Sequence, residues 1–396
     1  MDEPRKPEGE KTMDFALSSE HQALKDTVRK FLGKECPPET VRGLDERDEF
    51  PAGILEKMKP LGLSGLTIDE KHGGSGVDIL GAILVVEELS ARFPALAWIY
   101  VMSAFYGGVN VGRNGSGKQK DRFLPALAAG DILFSYALTE PDSGSDAASA
   151  RTALTRSGEG YRLNGTKTLI TGADRADFIL VLARSDKGLP KHKGLSMVIV
   201  DRRQEGVEVR KLAKLGYKGS SACEVVFEDV ELSADDVLGG EECLNKGWAQ
   251  LLSTLDVEHL EVAACSVGLA QGAFDEAMKY ARDRKQFGEP IGHFQAIQHM
   301  FAEMATGIQT ARLLLYYTTW MMERNTPCGM ESAMAKYYAS EVAKQVSLQG
   351  MQIFGGYGYT MEYPIQRYVR DSLVLPIGGG TTQILKNIIA GRLGLK

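Results

Sequence analysis

The sequence predicts an α+β protein laid out as helices, then strands, then helices, because the spacing of its apolar residues changes twice along the chain. From Ser18 to about Ala129, runs such as His21 to Leu32 place hydrophobic residues three and four positions apart, as amphipathic helices do. From Phe134 to about Leu238, short or alternating apolar runs such as Phe178–Leu182 and Leu195–Val200 are separated by Gly, Asp and Lys, the pattern of strands and turns. From Trp248 onward the helical period returns, and the small residues of Ala263–Ala270 allow neighbouring helices to pack closely. The expected divisions are a disordered tail over 1–12, a helical domain over 13–130, a β domain over 131–240 and a helical bundle over 241–396.

Composition bounds the function. A chain of 396 residues, 43% hydrophobic and 25% charged, can bury a core in two or three domains. A net charge of −6 offers no general basic face for nucleic acid, although local basic clusters still suit small anions. Cys36, Cys223, Cys243, Cys265 and Cys328 are scattered and form no CxxC, so no disulfide framework and no metal site is expected. No run of 18 apolar residues is apparent and Met1 to Thr12 is polar, so the expectation is a cytoplasmic protein with no membrane span. No GxGxxG lies between a strand and a helix, and there is no HExxH or GxSxG, which argues against nicotinamide use and against metal or serine hydrolysis.

Three separated segments are more specific: Tyr136–Asp146, Arg282–Gly288 and Gln352–Tyr359, with Leu163–Lys167 and Val226–Val230 in order between them. Together they make the chain, from about Met13 to Lys396, resemble the acyl-CoA dehydrogenases. The resemblance implies an N-terminal helical domain, a middle β-barrel domain and a C-terminal four-helix bundle. It also implies FAD between the last two domains, a homotetramer formed through the C-terminal helices, and an electron-transfer flavoprotein as partner. The implied reaction is an elimination across the α and β carbons of an acyl-CoA thioester. A base takes the α proton while the β hydride leaves for N5 of the flavin.

Gly379 stands where that family usually carries its catalytic glutamate. Glu258, in Leu255–Leu260, stands where the isovaleryl and long-chain members carry theirs, so the loss and the gain occur together. A carboxylate beside the flavin, desolvated by substrate, should have a raised pKa and be a better base. Taken alone, Glu258 reads more readily as one more helix-surface glutamate like Glu261; the glycine at 379 is what favours the functional reading. The thioester carbonyl would be polarised by a backbone N–H near the base and by the flavin ribityl hydroxyl.

Other positions transfer one by one. Tyr136, Leu138, Thr139 and Ser145 match contacts to the flavin ring or the CoA, and Thr171 matches another flavin contact; Leu169 replaces the usual aromatic residue against the ring. Arg284 and Phe287, with Gln295 in register, match a loop that reaches a neighbouring subunit's flavin pyrophosphate. Gln352 and Gly356 match adenosine-side contacts, and Thr381 and Gln383 further flavin contacts. On the substrate side the expected residues are Ser145, Tyr100, Asp256, His259, Gly379 and Gly380. Tyr100 belongs with Met102 and Phe105 to a stretch expected to floor the pocket. His259 replaces an arginine; a histidine there could tie the charge near Glu258 to pH, although a lone histidine beside a helix start is more often structural. Gly378–Gly380 read both as a tight loop and as room for a branched or bulky acyl chain. The absence of arginine from Ala97–Ala104 disfavours a dicarboxylic substrate. The same fold admits two alternatives: an enoyl-CoA reductase resembling crotonobetainyl-CoA reductase, or an oxidase. A catalytically idle CoA-thioester-binding flavoprotein is a third.

Overall fold

The computed structural model describes residues 16–395, so the tail expected over 1–12 lies outside it. Helix α1 (Ser19–Glu35) starts where the Ser18 side chain accepts the His21 N–H, and it buries Val28 and Leu32. After α2 (Pro38–Arg47) and α3 (Ala52–Met58) comes α4 (Ile79–Arg92), capped by Asp78 and buried almost throughout. Helix α5 (Pro94–Val101) runs without a break into a π-helical stretch, Met102–Val109, and then α6 (Asn110–Asn114). This rod of 21 residues is long and apolar enough to cross a membrane by length and composition alone, but 89% of its most apolar window is buried inside the protein, where it serves the core. Helix α7 (Gly117–Ala129) opens on a capping box formed by Ser116 and Gln119.

The middle of the chain is one curled, seven-stranded sheet, a half-barrel, made of β1 (Phe134–Ala137), β2 (Ala153–Ser157), β3 (Gly160–Thr171), β4 (Phe178–Arg184), β5 (Leu195–Asp201), β6 (Val207–Leu212) and β7 (Ala222–Leu232). The continuous apolar runs read from the sequence become β4 and β5, buried on both faces. Strand β4 pairs parallel with β1, Phe134 opposite Phe178, and antiparallel with β5, Leu180 opposite Ile199. The β3–β7 ladder loses register between Lys167 and Ile170, and there Leu169 takes a left-handed backbone at φ +60°.

Helix α8 (Gly247–Asp283) leads through a small ribbon, β8 (Lys285–Gln286) and β9 (Glu289–Pro290), to α9 (Gln295–Glu323), α10 (Gly329–Phe354), α11 (Ile365–Ser372) and α12 (Thr382–Arg392). The long helices form the expected bundle. The small residues of α8 let α4 approach: a Cβ at Gly268 would lie 2.1 Å from the Glu87 carbonyl oxygen, and Ser90 Oγ donates to the Cys265 carbonyl at 2.6 Å. The N-terminal domain is thereby fixed against the helix that carries Glu258.

Candidate active site

Thr254, Glu258, Glu261 and Cys265 recur at helical spacing and share one face of α8. Glu258 is partly exposed, and Thr254 Oγ1 donates to its carboxylate at 3.3 Å and to Asn110 Oδ1 at 3.1 Å. Tyr136, on β1, packs beside it, with the Tyr106 ring 5.7 Å from the Tyr136 ring. The π-helical turn is wider than an α turn, and it is the stretch that carries Tyr106. Burial pushes the Glu258 carboxyl up to about 7, against the opposing influence of the Thr254 and Tyr136 hydroxyls. The Tyr136 hydroxyl is near enough to act on Glu258, but it has no partner at hydrogen-bonding geometry. Glu261 is only 2% exposed; burial first, and then the charge of Glu258, hold its carboxyl well above the usual range.

Beneath Glu258 lies a second polar group. His259 Nδ1 meets Ser332 Oγ at 3.3 Å, and Ser332 donates to Asp256 Oδ1 at 2.8 Å. Burial and the neighbouring Lys336 depress His259 to about 3, so the imidazole stays neutral across the physiological range, which favours the structural reading over the pH-dependent one. Lys336 is fully buried and donates to the carbonyls of Leu375 at 2.8 Å and Gly380 at 2.5 Å, clamping the loop that holds the glycine run. Gly379 adopts φ +62°, and a Cβ there would meet Val262 Cγ2 at 2.9 Å; Gly380, at φ +87°, lies over His259 Nε2. Thr381 caps α12 by accepting the Ile384 N–H, and Gln383 is exposed beside it.

The Leu138–Glu140 segment is pinned by a buried ion pair. Lys167 Nζ donates to the Leu138 carbonyl and to Glu140 Oε1, both at 2.9 Å. Glu140 also accepts the backbone N–H groups of Arg151 and Thr152, and the Thr168 N–H donates to the Thr139 carbonyl at 3.0 Å. Around this segment the hydroxyls of Thr139, Ser145 and Thr171 carry no hydrogen bond to protein, and Leu169 presents an apolar side chain that is 64% exposed. Free hydroxyls beside an apolar platform fit a flat heteroaromatic ring with polar edges, so the donor set suits a flavin. A Cβ at Gly172 would lie 2.4 Å from Met102 Sδ, which brings this edge of the sheet against the helical rod.

Other expected residues lie elsewhere. Phe287, on the β8–β9 ribbon, is 95% exposed at φ +53°, and the Arg284 guanidinium lies over the Tyr357 ring at 5.4 Å, bringing the ribbon to the turn that contains Gly356. Gln295 and Gln352 are exposed. Arg284 follows the end of α8, about 39 Å along the helix axis from Glu258 at a rise of ~1.5 Å per residue. Tyr100 is buried, donates to the Leu63 carbonyl at 3.1 Å and lines a cavity of about 190 Å³ with Lys59, Ser103, Leu133 and Asp177. The ring that accompanies Tyr136 at Glu258 is instead Tyr106, which the sequence reading did not select; its hydroxyl, with Ser103 one of two in the Met102–Val109 run, was the available signal. Lys167 was part of a recognised segment, but its pairing with Glu140 was not foreseen.

Comparison with known proteins covers nearly the whole chain. The family model for the acyl-CoA dehydrogenase N-terminal domain matches residues 18–131, that for the middle domain 135–230 and that for the C-terminal domain 245–394. The chain is 39% identical over 382 residues to the caffeyl-CoA reductase-Etf complex subunit CarC of Acetobacterium woodii, covering 95% of this chain and 99% of that one. It is 38% identical over 381 residues to the 3-(aryl)acrylate reductase of Clostridium sporogenes, again covering 95% and 99%. The structure matches butyryl-CoA dehydrogenase from Megasphaera elsdenii with a TM-score of 0.92 at 33% identity, covering 97% of this chain and 100% of that chain.

Proposed function

The chain belongs to the acyl-CoA dehydrogenase family, and from that premise we propose that Glu258 is the base that takes the α proton as an acyl-CoA thioester is oxidised to its 2-enoyl-CoA. The observation that carries this reading is a partly exposed carboxyl, raised to about 7, on the helix face that meets Tyr136 and Tyr106. A base poised near neutral pH combines a useful ionised fraction with a strong pull on the proton. Thr254 orients the carboxylate, and neutral His259 adds no cation that would lower its basicity. The base placement follows the isovaleryl and long-chain pattern, and Val262 packs where a side chain at 379 would begin, so the glycine loop carries no competing carboxylate.

FAD, when bound, supplies the acceptor for the β hydride. Tyr136, Leu138, Thr139, Leu169 and Thr171 would hold its ring, with Ser145 toward the ring or the CoA and Thr381 and Gln383 nearby. Arg284, Phe287, Gln295, Gln352 and Gly356 would hold the dinucleotide end in a neighbouring copy, because Arg284 is too far along α8 to share one FAD with Glu258 of its own chain. This supports a homo-oligomer, a tetramer on the family pattern. The complex named for the Acetobacterium relative supports an electron-transfer flavoprotein as partner.

A second reading runs the same site backwards, because two relatives at 39% and 38% identity are reductases. A carboxyl at about 7 can also hold a proton and return it to the α carbon of a 2-enoyl thioester. The test is anaerobic flavin bleaching by straight, branched and aryl acyl-CoAs, in wild type and Glu258→Gln. Bleaching of wild type alone supports the base and names the acyl class; equal bleaching of both removes Glu258 from the role. Reoxidation of the reduced flavin by 2-enoyl-CoAs, without bleaching by acyl-CoAs, selects the reductive direction.

A further inference from the structure

Thr254 is fully buried, and three acceptors surround its single hydroxyl proton: the Leu251 carbonyl at 3.2 Å, Asn110 Oδ1 at 3.1 Å and Glu258 Oε1 at 3.3 Å. A hydroxyl donates once, so the three compete. The Leu251 carbonyl already belongs to the hydrogen-bond ladder of α8, which leaves Asn110 and Glu258 as the contenders. Asn110, the first residue of α6, is 2% exposed, and its Nδ2 donates to the Phe105 carbonyl at 3.3 Å. That bond fixes which way the amide faces, because the reverse orientation would set Oδ1 against another carbonyl oxygen. Asn110 therefore presents an acceptor to Thr254, and among the described residues no other donor reaches it.

Which contender wins depends on the proton of Glu258. Ionised, the carboxylate is the stronger acceptor and draws the Thr254 proton, leaving a buried amide oxygen without a donor. Protonated, the carboxyl is a weaker acceptor and a donor itself, and the Thr254 proton turns back to Asn110. The chain from Glu258 through Thr254 and Asn110 to the Phe105 carbonyl is fully hydrogen-bonded only in the second state. A bond that forms as the base takes its proton favours that transfer. Thr254 lowers the carboxyl only while it donates to it, and Asn110 limits that donation. The ionisable groups facing Glu258 are Tyr136 on β1, Tyr106 in the π-helical stretch and Glu261 on α8; none is a cation that would reverse the sign.

We propose that Asn110 is a positioning residue for the base, holding the Thr254 proton away from Glu258 so that the carboxylate keeps its pull on the α proton. The proposal rests on the reading of Glu258 as the base. In the step, the α C–H bond breaks and its proton passes to Glu258. The bonding pair stays with the substrate to form the double bond as the β hydride leaves for its acceptor. The Thr254 proton never leaves its oxygen and swings to Asn110.

The test follows the Glu258 titration in flavin-loaded protein by two readouts: the acid limb of kcat/KM, and the infrared band of a protonated carboxyl that is missing from Glu258→Gln. Asn110→Leu, which keeps the shape and removes the acceptor, should move the midpoint of the band about one pH unit downward, and Thr254→Val should move it upward. In a Thr254→Val background Asn110→Leu should add nothing, because Asn110 acts through that hydroxyl. Should Asn110→Leu not fold, Asn110→Ala carries the same expectations. A midpoint that stays or rises in the Asn110 variant, or a downward shift that persists without Thr254, overturns the proposal. The kcat/KM limb separates this from the reading beneath it. If the band shifts and the limb does not follow, the reading of Glu258 as base falls while the competition for the Thr254 proton stands. If neither moves, the base stands and the role of Asn110 falls.

Discussion

Glu140 in the middle domain and Glu261 in α8 are both withdrawn from solvent, at 6% and 2% exposed, yet they are treated in opposite ways. Burial pushes Glu140 up, but Lys167 and two backbone N–H groups outweigh it and hold the carboxyl below its usual range. Glu261 has one oxygen without any partner, and its carboxyl is driven well upward. A charge satisfied on every side fixes the backbone around it. One left unsatisfied is driven toward its neutral, protonated form. The middle domain thus uses buried charge to hold the Leu138–Glu140 segment in place, while burial holds Glu261 on α8 toward its neutral form.

The comparison breaks most visibly at Glu258. Glu258→Gln should lower turnover by about 10³-fold, within the range for loss of a general base, with flavin content and melting temperature preserved. Turnover within about tenfold of wild type would place the chemistry elsewhere. The next effect belongs to the paired charge. Lys167→Met strands Glu140 in the interior and should cost about 3–5 kcal/mol, read by chemical denaturation, with flavin lost on gel filtration. Adding Glu140→Gln to that variant should recover part of the stability, and a failure to recover any would mean that Lys167 acts through packing alone.

The pH dependence is smaller and has a definite sign. Only ionised Glu258 accepts a proton, so kcat/KM for acyl-CoA oxidation should rise about tenfold per pH unit up to about 7 and level off above it. The same raised pKa works against the folded state: its contribution to stability is present below the unfolded value of 4.5 and is lost as pH rises through about 7. Glu258→Gln should therefore flatten both profiles. The smallest effect is expected at Leu169, where Leu169→Trp would extend the apolar platform. It should slow flavin release by an amount worth about 0.5–1.5 kcal/mol, measured by competition with apoflavodoxin.

The α, β, α order was legible because each region keeps one apolar period over many residues. The glycine run at 378–380 and Glu258 were legible as a pair only through the family likeness. What escaped the sequence depends on contacts between distant segments. Tyr100 was expected at the pocket floor, but it turns to the Leu63 carbonyl, and the ring at Glu258 is Tyr106, in a π-helical stretch that a 3.6-residue period does not describe. Two readings of His259 were open from the sequence, and what decides for the structural one is its burial and Lys336 from another helix. Leu169 reads as a simple loss of an aromatic, and nothing local announces that it occupies a bulge with a left-handed backbone.

Gly379 bears on ancestry as well as on chemistry. Its backbone, at φ +62°, disfavours any side chain, and Val262 occupies the space into which a returning Cβ would project. A lineage that moved its base to α8 and then let Val262 settle against the bare loop could not restore a glutamate at 379 by one substitution. It would first have to shrink Val262 and reshape the loop clamped by Lys336, passing through intermediates with no gain. With Glu258 as the proposed base, the packing at Gly379 makes the arrangement hard to reverse.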